Sequence, residues 1–203
     1  MIAPDVQQQV KMLVSLLLQR PITESVARQV ETYPGFEHLE IIAGEWIGLS
    51  EGDEIGGEEH GWIESLIITM LTNWALANKA GRVYTGDTNF VLDGKSDDIR
   101  LKRRPDVAFV RNANVRPAKG FIYAVPDLAV EIISHSKRPG QIRQKLNDYL
   151  DHGVERVWQI YPDTREVVVY QPDRSSKTYR VADTLTDDDL LPGFSLNVGV
   201  LFE

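Results

Sequence analysis

The chain has 203 residues, no cysteine and a net charge of −8, with 42% hydrophobic and 26% charged residues. This composition is typical of one globular domain with a sizeable core, and it excludes disulfides, thiolate zinc sites and cysteine nucleophiles. No segment has the roughly 18 apolar residues of a membrane-spanning helix, and no signal-peptide pattern is found. We therefore expect a cytoplasmic protein without membrane contact.

The charge is distributed unevenly along the chain. Between Arg100 and Lys145, eleven lysines and arginines stand against three acids, so this segment carries +8 and the remaining residues carry −16. Clustered basic residues favour phosphate binding. The alternative is a chance cluster of solvated surface charge.

The first part of the chain is predicted to be mainly helical, because apolar residues recur at spacings of three and four. Pro21 ends the first helix, and Gly81 is predicted to end the last one. In chain order we predict helices at residues 5–20 and 23–32, hairpin strands at 38–42 and 45–49, an acidic glycine-rich stretch at 51–59, and a long helix at 59–79.

In the second part of the chain the residue pattern is typical of strands. This part contains one more helix, at residues 139–152, which ends before Gly153. Strands are predicted at 82–85, 88–92, 105–111, 127–134, 156–161, 166–171, 177–181 and 195–202. These elements indicate an α/β fold with a mixed, mostly antiparallel sheet flanked by helices.

The domain organisation has two interpretations. Residues 1–50 can form an N-terminal helical arm and hairpin, followed by a main domain over 51–203. We favour the alternative, one continuous domain over 1–203, because the length suits a single core.

Two predicted strands each contain one acid among apolar residues, namely Asp106 and Glu131. Burying an ionised carboxylate costs several kcal/mol unless a cation or hydrogen-bond donors accompany it. Mg²⁺ binds through one or two carboxylates and keeps waters for the rest of its shell, so it suits such a pair on adjacent strands. Asp127 shares the face of Glu131 by the two-residue period, but its place after Pro126 favours a cap or turn role.

The helix at 139–152 supplies a third polar group. Lys145 lies beside the apolar stripe of Ile142, Leu146 and Tyr149, so its ammonium can reach toward the sheet and stabilise charge on a phosphate. Read alone, Lys145 is typical of a surface lysine whose stem covers apolar surface.

The order of these residues resembles the Uma2 family of restriction-endonuclease-like proteins, within the PD-(D/E)XK nuclease superfamily. The resemblance covers most of the chain. It is carried by Pro105-Asp106, by Glu131 in an apolar strand ended by Ser134, by Arg138, by Lys145-Leu146, by the stretches 38–45 and 153–158, and by Glu59-His60. The resemblance implies a restriction-endonuclease-like core, with Asp106 and Glu131 as ligands of Mg²⁺ or Mn²⁺ and Lys145 as the catalytic lysine.

The chain departs from the superfamily pattern at Ile133, where a lysine is expected two residues after the second acid. In proteins resembling Uma2 this lysine stands in the following helix, at the position of Lys145. Further candidates are His60 and Glu64, four residues apart on the long helix, and Gln141, which can bond a site water. Helix capping and solvation are the alternatives for these residues.

The resemblance implies phosphodiester hydrolysis of DNA. We expect no organic cofactor, and the motifs of nucleotide hydrolysis, dinucleotide redox chemistry and serine hydrolysis are missing. The exposed hairpin and first helix favour a homodimer. The alternatives are a non-catalytic module derived from a nuclease, which binds nucleic acid or protein, and a purely structural domain. The residues expected to contact the nucleic-acid backbone are Arg103, Arg104, Lys137, Arg138 and Arg143.

Overall fold

The computed structural model describes residues 4–48, 57–116, 119–135 and 137–203. Its helices are α1 (Pro4–Leu17), α2 (Glu24–Val30), α3 (Glu58–Asn78) and α4 (Pro139–Asp151), with a 3-10 helix at Val198–Phe202. Its strands are β1 (Glu40–Ile42), β2 (Glu45–Ile47), β3 (Gly81–Thr85), β4 (Phe90–Lys95), β5 (Asp98–Arg103), β6 (Val107–Arg111), β7 (Leu128–Ile132), β8 (Arg156–Tyr161), β9 (Glu166–Tyr170), β10 (Ser176–Arg180), β11 (Thr184–Asp187) and β12 (Leu191–Asn197).

The chain divides into two compact units. The first comprises the described residues of Met1–Glu51, Asn89–Arg103 and Ala118–Tyr123, and the second comprises those of Gly52–Thr88, Arg104–Pro117 and Ala124–Glu203. The boundary predicted at residue 50 and most of the acidic stretch at 51–59 lie outside the described residues, so the division into arm and main domain stays a prediction.

The second unit is built on a six-stranded sheet in the order β10-β9-β8-β7-β6-β3. Neighbouring strands are antiparallel except for β7 and β8, which are parallel. Parallel neighbours need a crossover connection, and α4 provides it between these two strands. The α/β fold with a mixed, mostly antiparallel sheet is therefore confirmed.

Each face of this sheet is covered by a helix. The apolar stripe of α3 packs in one core with alternate residues of β7, Leu128, Val130 and Ile132. Because side chains alternate along a strand, Glu131 faces the other side, where the hydroxyl of Tyr149 in α4 contacts it. The one acid inside β7 is thus placed beneath α4.

The first unit contains a four-stranded sheet in the order β2-β1-β5-β4. The predicted hairpin is present as β1 and β2, in antiparallel register with Ile41 opposite Trp46. Strand β5 also pairs with β1, so the sheet joins residues about sixty positions apart in sequence. The last residue of the second predicted hairpin strand, Leu49, lies outside the described residues.

Strands β5 and β11 were not predicted from the sequence. The basic run from Arg100 to Arg103 belongs to the segment expected to favour phosphate binding, yet it lies in β5, where Ile99 and Leu101 are buried in the first unit. Strand β5 could not be recognised by alternating apolar and polar residues, because two of its buried positions, 102 and 103, are basic.

One predicted strand and the predicted role of one glycine were wrong. The predicted strand 195–202 is the end of β12 followed by a 3-10 helix. Helix α3 ends at Asn78, close to the predicted end, and Lys79 caps it with a left-handed backbone (φ 50°), whereas Gly81 is the first residue of β3. A Cβ at Gly81 would lie 2.1 Å from the Val110 carbonyl oxygen, so close pairing with β6 explains this glycine. Within the described residues, no helix has the length and apolar character needed to cross a bilayer.

Candidate metal and phosphodiester site

The structure brings the two strand acids together. Asp106 directly precedes β6, and the antiparallel register of β6 with β7 places Val107 opposite Val130. Asp106 is therefore next to Glu131, and its Oδ2 accepts a hydrogen bond from the backbone N–H of Ile132 at 2.6 Å. This bond fixes the Asp106 carboxylate against the end of β7.

Lys145 also belongs to this group. From α4 its Nζ donates to Glu131 Oε2 at 2.7 Å and to the Arg104 carbonyl at 3.0 Å. The side chain is only 19% exposed, because the residue lies at the border of the helix face that packs on the sheet. Its ammonium is thus directed inward, unlike that of an ordinary surface lysine.

Sequence reasoning missed Tyr149, which is fully buried one turn after Lys145. Its hydroxyl donates to Glu131 Oε1 at 2.7 Å, so both oxygens of the carboxylate are engaged. The sequence did contain a signal, since a tyrosine on a buried helix face needs a hydrogen-bond partner for its hydroxyl.

Burial governs the electrostatics of Glu131, which is 2% exposed. Loss of hydration raises the pKa of Glu131, the charges of Lys145 and Lys137 lower it, and the charge of Asp106 raises it further. Burial has the largest effect, so the ionised carboxylate is stabilised less than it would be in water. A further cation beside it would favour the ionised form.

His60 and Glu64, the lower-ranked candidates on α3, lie near Asp106. The His60 Nε2 atom is 3.7 Å from Asp106 Oδ1. Glu64 Oε1 accepts a hydrogen bond from Gly86 N at 3.4 Å. Burial raises the pKa of Glu64, the bond from Gly86 lowers it, and the charge of Asp106 raises it as well. Both side chains are thus within electrostatic reach of the paired carboxylates.

Two other candidates, Asp127 and Gln141, form hydrogen bonds that stabilise the local backbone. Asp127 accepts hydrogen bonds from Arg111 N at 2.7 Å and from Asn114 Nδ2 at 2.9 Å, and these bonds close the turn after β6. Gln141 Oε1 accepts from Arg138 N at 3.2 Å, as part of a capping box at the start of α4. These contacts support the cap and turn interpretations of both residues.

The basic residues predicted to contact a nucleic-acid backbone differ in their surroundings. Arg103 is 3% exposed and pairs with Glu40 at 2.5 Å, so it offers almost no surface to a phosphate, and its burial disfavours the predicted contact. Arg104 donates to the Gly86 carbonyl at 3.0 Å and pairs with Asp87 at 3.2 Å. Lys137 turns toward Ile132 O and Glu131. Arg138, the N-cap residue before α4, and Arg143, within α4, are both exposed.

The donor set fits a small divalent cation. Within the described residues no cluster of three or more His, Asp or Glu side chains forms a ready metal site, but Mg²⁺ needs only one or two carboxylates. An ionised carboxylate has about four acceptor sites, and Tyr149 and Lys145 use one on each oxygen of Glu131. Asp106 and Glu131 would therefore be the residues that hold the ion.

Comparison with known proteins connects this geometry to a family. The Uma2 family model, described as "Putative restriction endonuclease", matches residues 31–199. The chain belongs to the Uma2 family. The match covers β1 through β12, and with them Asp106, Glu131 and Lys145. Membership supports a nuclease-like function.

The fold of this Uma2 chain also occurs in a solved structure. The crystal structure of a "putative nuclease belonging to DUF820" from Anabaena variabilis ATCC 29413 superposes with a TM-score of 0.70. The two chains are 20% identical, and the match covers 90% of this chain and 98% of the other. At this identity the likeness shows a common fold. Comparison with curated proteins finds no significant match.

Proposed function

We propose that this Uma2 chain is a divalent-metal-dependent endonuclease that hydrolyses phosphodiester bonds of DNA. The observation that carries the proposal is the convergence of three side chains: Asp106 directly before β6, Glu131 in β7 and Lys145 in α4. All three groups lie at the same end of β7. The two acids can bind a cation, and the ammonium can stabilise negative charge on a phosphate.

A bound Mg²⁺ or Mn²⁺ ion would supply an activated water and a counter-charge for the scissile phosphate. The protein residues hold this arrangement in place. Asp106 is anchored by Ile132 N, and Tyr149 orients Glu131 by a hydrogen bond to one oxygen. Lys145, held by the Arg104 carbonyl, keeps its ammonium beside the carboxylate and stabilises negative charge that develops on the phosphate.

Substrate contact would come from the exposed surface of α4. Arg138 and Arg143 lie there and can pair with backbone phosphates. His60 is placed beside Asp106 and can hydrogen-bond a water in the site. We retain the homodimer as a proposal, supported by an exposed apolar stripe on α1 at Val6, Val10 and Val14. Sedimentation of the wild type and of Val10→Glu tests it, because a stable monomer in both would contradict it.

A second candidate is a non-catalytic module that binds nucleic acid or protein. Two observations favour it. Ile133 is buried where the nuclease superfamily has a strand lysine, and Glu131 already has hydrogen bonds to both oxygens. This candidate predicts DNA binding that is the same with metal and with chelator, and no cleavage.

The deciding experiment incubates supercoiled plasmid with the protein in Mg²⁺, in Mn²⁺ and in EDTA, alongside Asp106→Asn and Lys145→Met. The matched control is Lys177→Met, which removes a charge from exposed β10, three strands away from β7. We expect nicking by the wild type and the control only with metal, and a loss of about 100-fold or more in the site variants. Equal nicking by Asp106→Asn, or cleavage in EDTA, would refute the proposal. A labelled RNA of the same sequence tests the choice of DNA, which fails if RNA is cut faster.

A further inference from the structure

A second lysine, Lys137, lies near the carboxylates of Asp106 and Glu131. The proposed function gives it no role at this site. Lys137 lies in the connection between β7 and α4, two residues before the first residue of the helix. Its Nζ donates to the Ile132 carbonyl at 3.1 Å and lies 3.8 Å from Glu131 Oε2. The ammonium thus contacts a backbone carbonyl and a carboxylate on consecutive residues.

These two oxygens are of the kinds that hard divalent cations bind, since Mg²⁺ and Ca²⁺ take carboxylate and carbonyl ligands. The same strand end is tied to Asp106 through Ile132 N. A cation held by Asp106 and Glu131 would therefore compete with the Lys137 ammonium for the same oxygen-rich strand end.

The two lysines at Glu131 are held differently. Lys145 is 19% exposed, extends from the middle of α4, and donates to both Glu131 and the Arg104 carbonyl. Lys137 is 29% exposed, lies outside regular secondary structure, and is 1.1 Å farther from the same carboxylate oxygen. Lys137 is consequently the ammonium that can leave at lower cost.

Charge balance favours the same exchange. Asp106 and Glu131 carry −2 when ionised, and Lys137 and Lys145 carry +2, so the four groups are neutral. Adding a divalent ion brings their sum to +2, whereas release of Lys137 at the same time leaves only +1. Like charges close to each other at a partly buried site repel more strongly than in water, so ion entry and lysine departure are coupled.

We propose that Lys137 is a tethered counter-ion that neutralises the carboxylate pair in the metal-free protein and is displaced when a divalent cation binds. This inference rests on the proposed metal site at Asp106 and Glu131. Once displaced, the ammonium is freed at the edge of the site, next to exposed Arg138. There it adds positive charge for a substrate phosphate only after the cation has bound, which couples metal loading to substrate affinity.

The first test measures Mn²⁺ affinity by titration calorimetry or electron paramagnetic resonance, with no nucleic acid present. Lys137→Met keeps most of the side-chain volume and removes the competing charge. We expect it to bind Mn²⁺ about tenfold more tightly than the wild type, equivalent to roughly 1.4 kcal/mol. Lys177→Met, a similar change on β10, should alter the affinity less than twofold.

The second test follows the lysine itself. The full-length protein is labelled briefly with an amine-reactive ester, and each lysine is quantified by mass spectrometry with and without saturating Mn²⁺. We expect labelling of Lys137 to rise several-fold on addition of metal, because its ammonium leaves the carboxylate, while Lys145 and Lys177 change little.

The outcomes separate this inference from the proposed function. If Asp106→Asn binds Mn²⁺ as the wild type does, the metal site is wrong and both proposals fall. If Asp106→Asn loses Mn²⁺ binding but Lys137→Met binds no more tightly, or Lys137 labelling does not rise with metal, the counter-ion role alone is overturned.

Discussion

Tyr149→Phe removes one hydroxyl from a buried position without changing the shape of the ring. The hydroxyl donates to Glu131 Oε1 at 2.7 Å, in a region where Tyr149 is fully buried and Glu131 is 2% exposed. A hydrogen bond to a charged partner contributes about 1.5–3 kcal/mol, because the acceptor left behind has no water to replace the donor. We therefore expect Tyr149→Phe to lower the free energy of unfolding by about 2 kcal/mol.

For a chain of this length, 1 kcal/mol corresponds to roughly 2–4 °C in Tm, so the variant should unfold about 4–8 °C earlier. The matched control is Tyr179→Phe. Tyr179 is also buried, but its hydroxyl donates to the neutral Thr186 carbonyl at 3.4 Å, a long and weak bond. The control should lose about 0.5 kcal/mol or less.

The assay is thermal and urea unfolding in EDTA, combined with a carbon-13 NMR titration of the Glu131 carboxyl. Since a hydrogen bond to the ionised form lowers a carboxyl pKa, Tyr149→Phe should raise the pKa of Glu131 above its already raised wild-type value. A variant with unchanged Tm and an unchanged Glu131 titration would refute the assignment of Tyr149 as the residue that positions this carboxylate.

Three further outcomes follow from single contacts. Burial raises the pKa of Glu131 in the folded protein above its value in the unfolded chain, so the ionised carboxylate lowers the stability once the pH exceeds the folded-state pKa. In EDTA, Glu131→Gln should therefore be more stable than the wild type at pH 8, and the difference should vanish below about pH 4, where Glu131 is protonated in both the folded and the unfolded protein. A difference in stability that stays constant from pH 8 to pH 4 would contradict the raised pKa. Gly81→Ala should destabilise by about 1–3 kcal/mol, since its Cβ would lie 2.1 Å from Val110 O, and an unaltered urea midpoint would show that the strands adjust freely. Gly61 lies at an exposed position of α3, with open space around a new Cβ. Gly61→Ala should therefore stabilise the protein by about 0.5–1 kcal/mol, and a lower Tm would contradict it.

The buried ion pairs of the first unit show where sequence reasoning fails. Lys102 and Arg103 belong to a strongly basic run, which indicated an exposed surface for phosphate. In the structure they pair with Glu31 and Glu40, acids that are 71 and 63 positions away in sequence. These partner acids lie far from β5 in the sequence. The burial of the two cations therefore could not be predicted from the residues next to the strand.

The candidate site was partly accessible from the sequence. An acid inside an apolar strand is costly without a partner, so Asp106 and Glu131 could be singled out before any coordinates, and the helical period placed Lys145 beside the buried stripe of α4. The roles of Tyr149 and Lys137 were not accessible. The hydroxyl of one and the ammonium of the other are directed by the packing of α4 on the sheet and by the course of the connection before it.

The sequence by itself determined the local elements, because helix and strand periods and the turn residues act over a few neighbouring positions. It also singled out the two strand acids that need a charged or hydrogen-bonding partner. The tertiary structure alone decided which side chains meet those acids, through the register of β6 with β7, the parallel pairing of β7 with β8 and the crossover of α4. These pairings join distant parts of the chain and depend on the total burial of apolar surface, a quantity that no short segment contains.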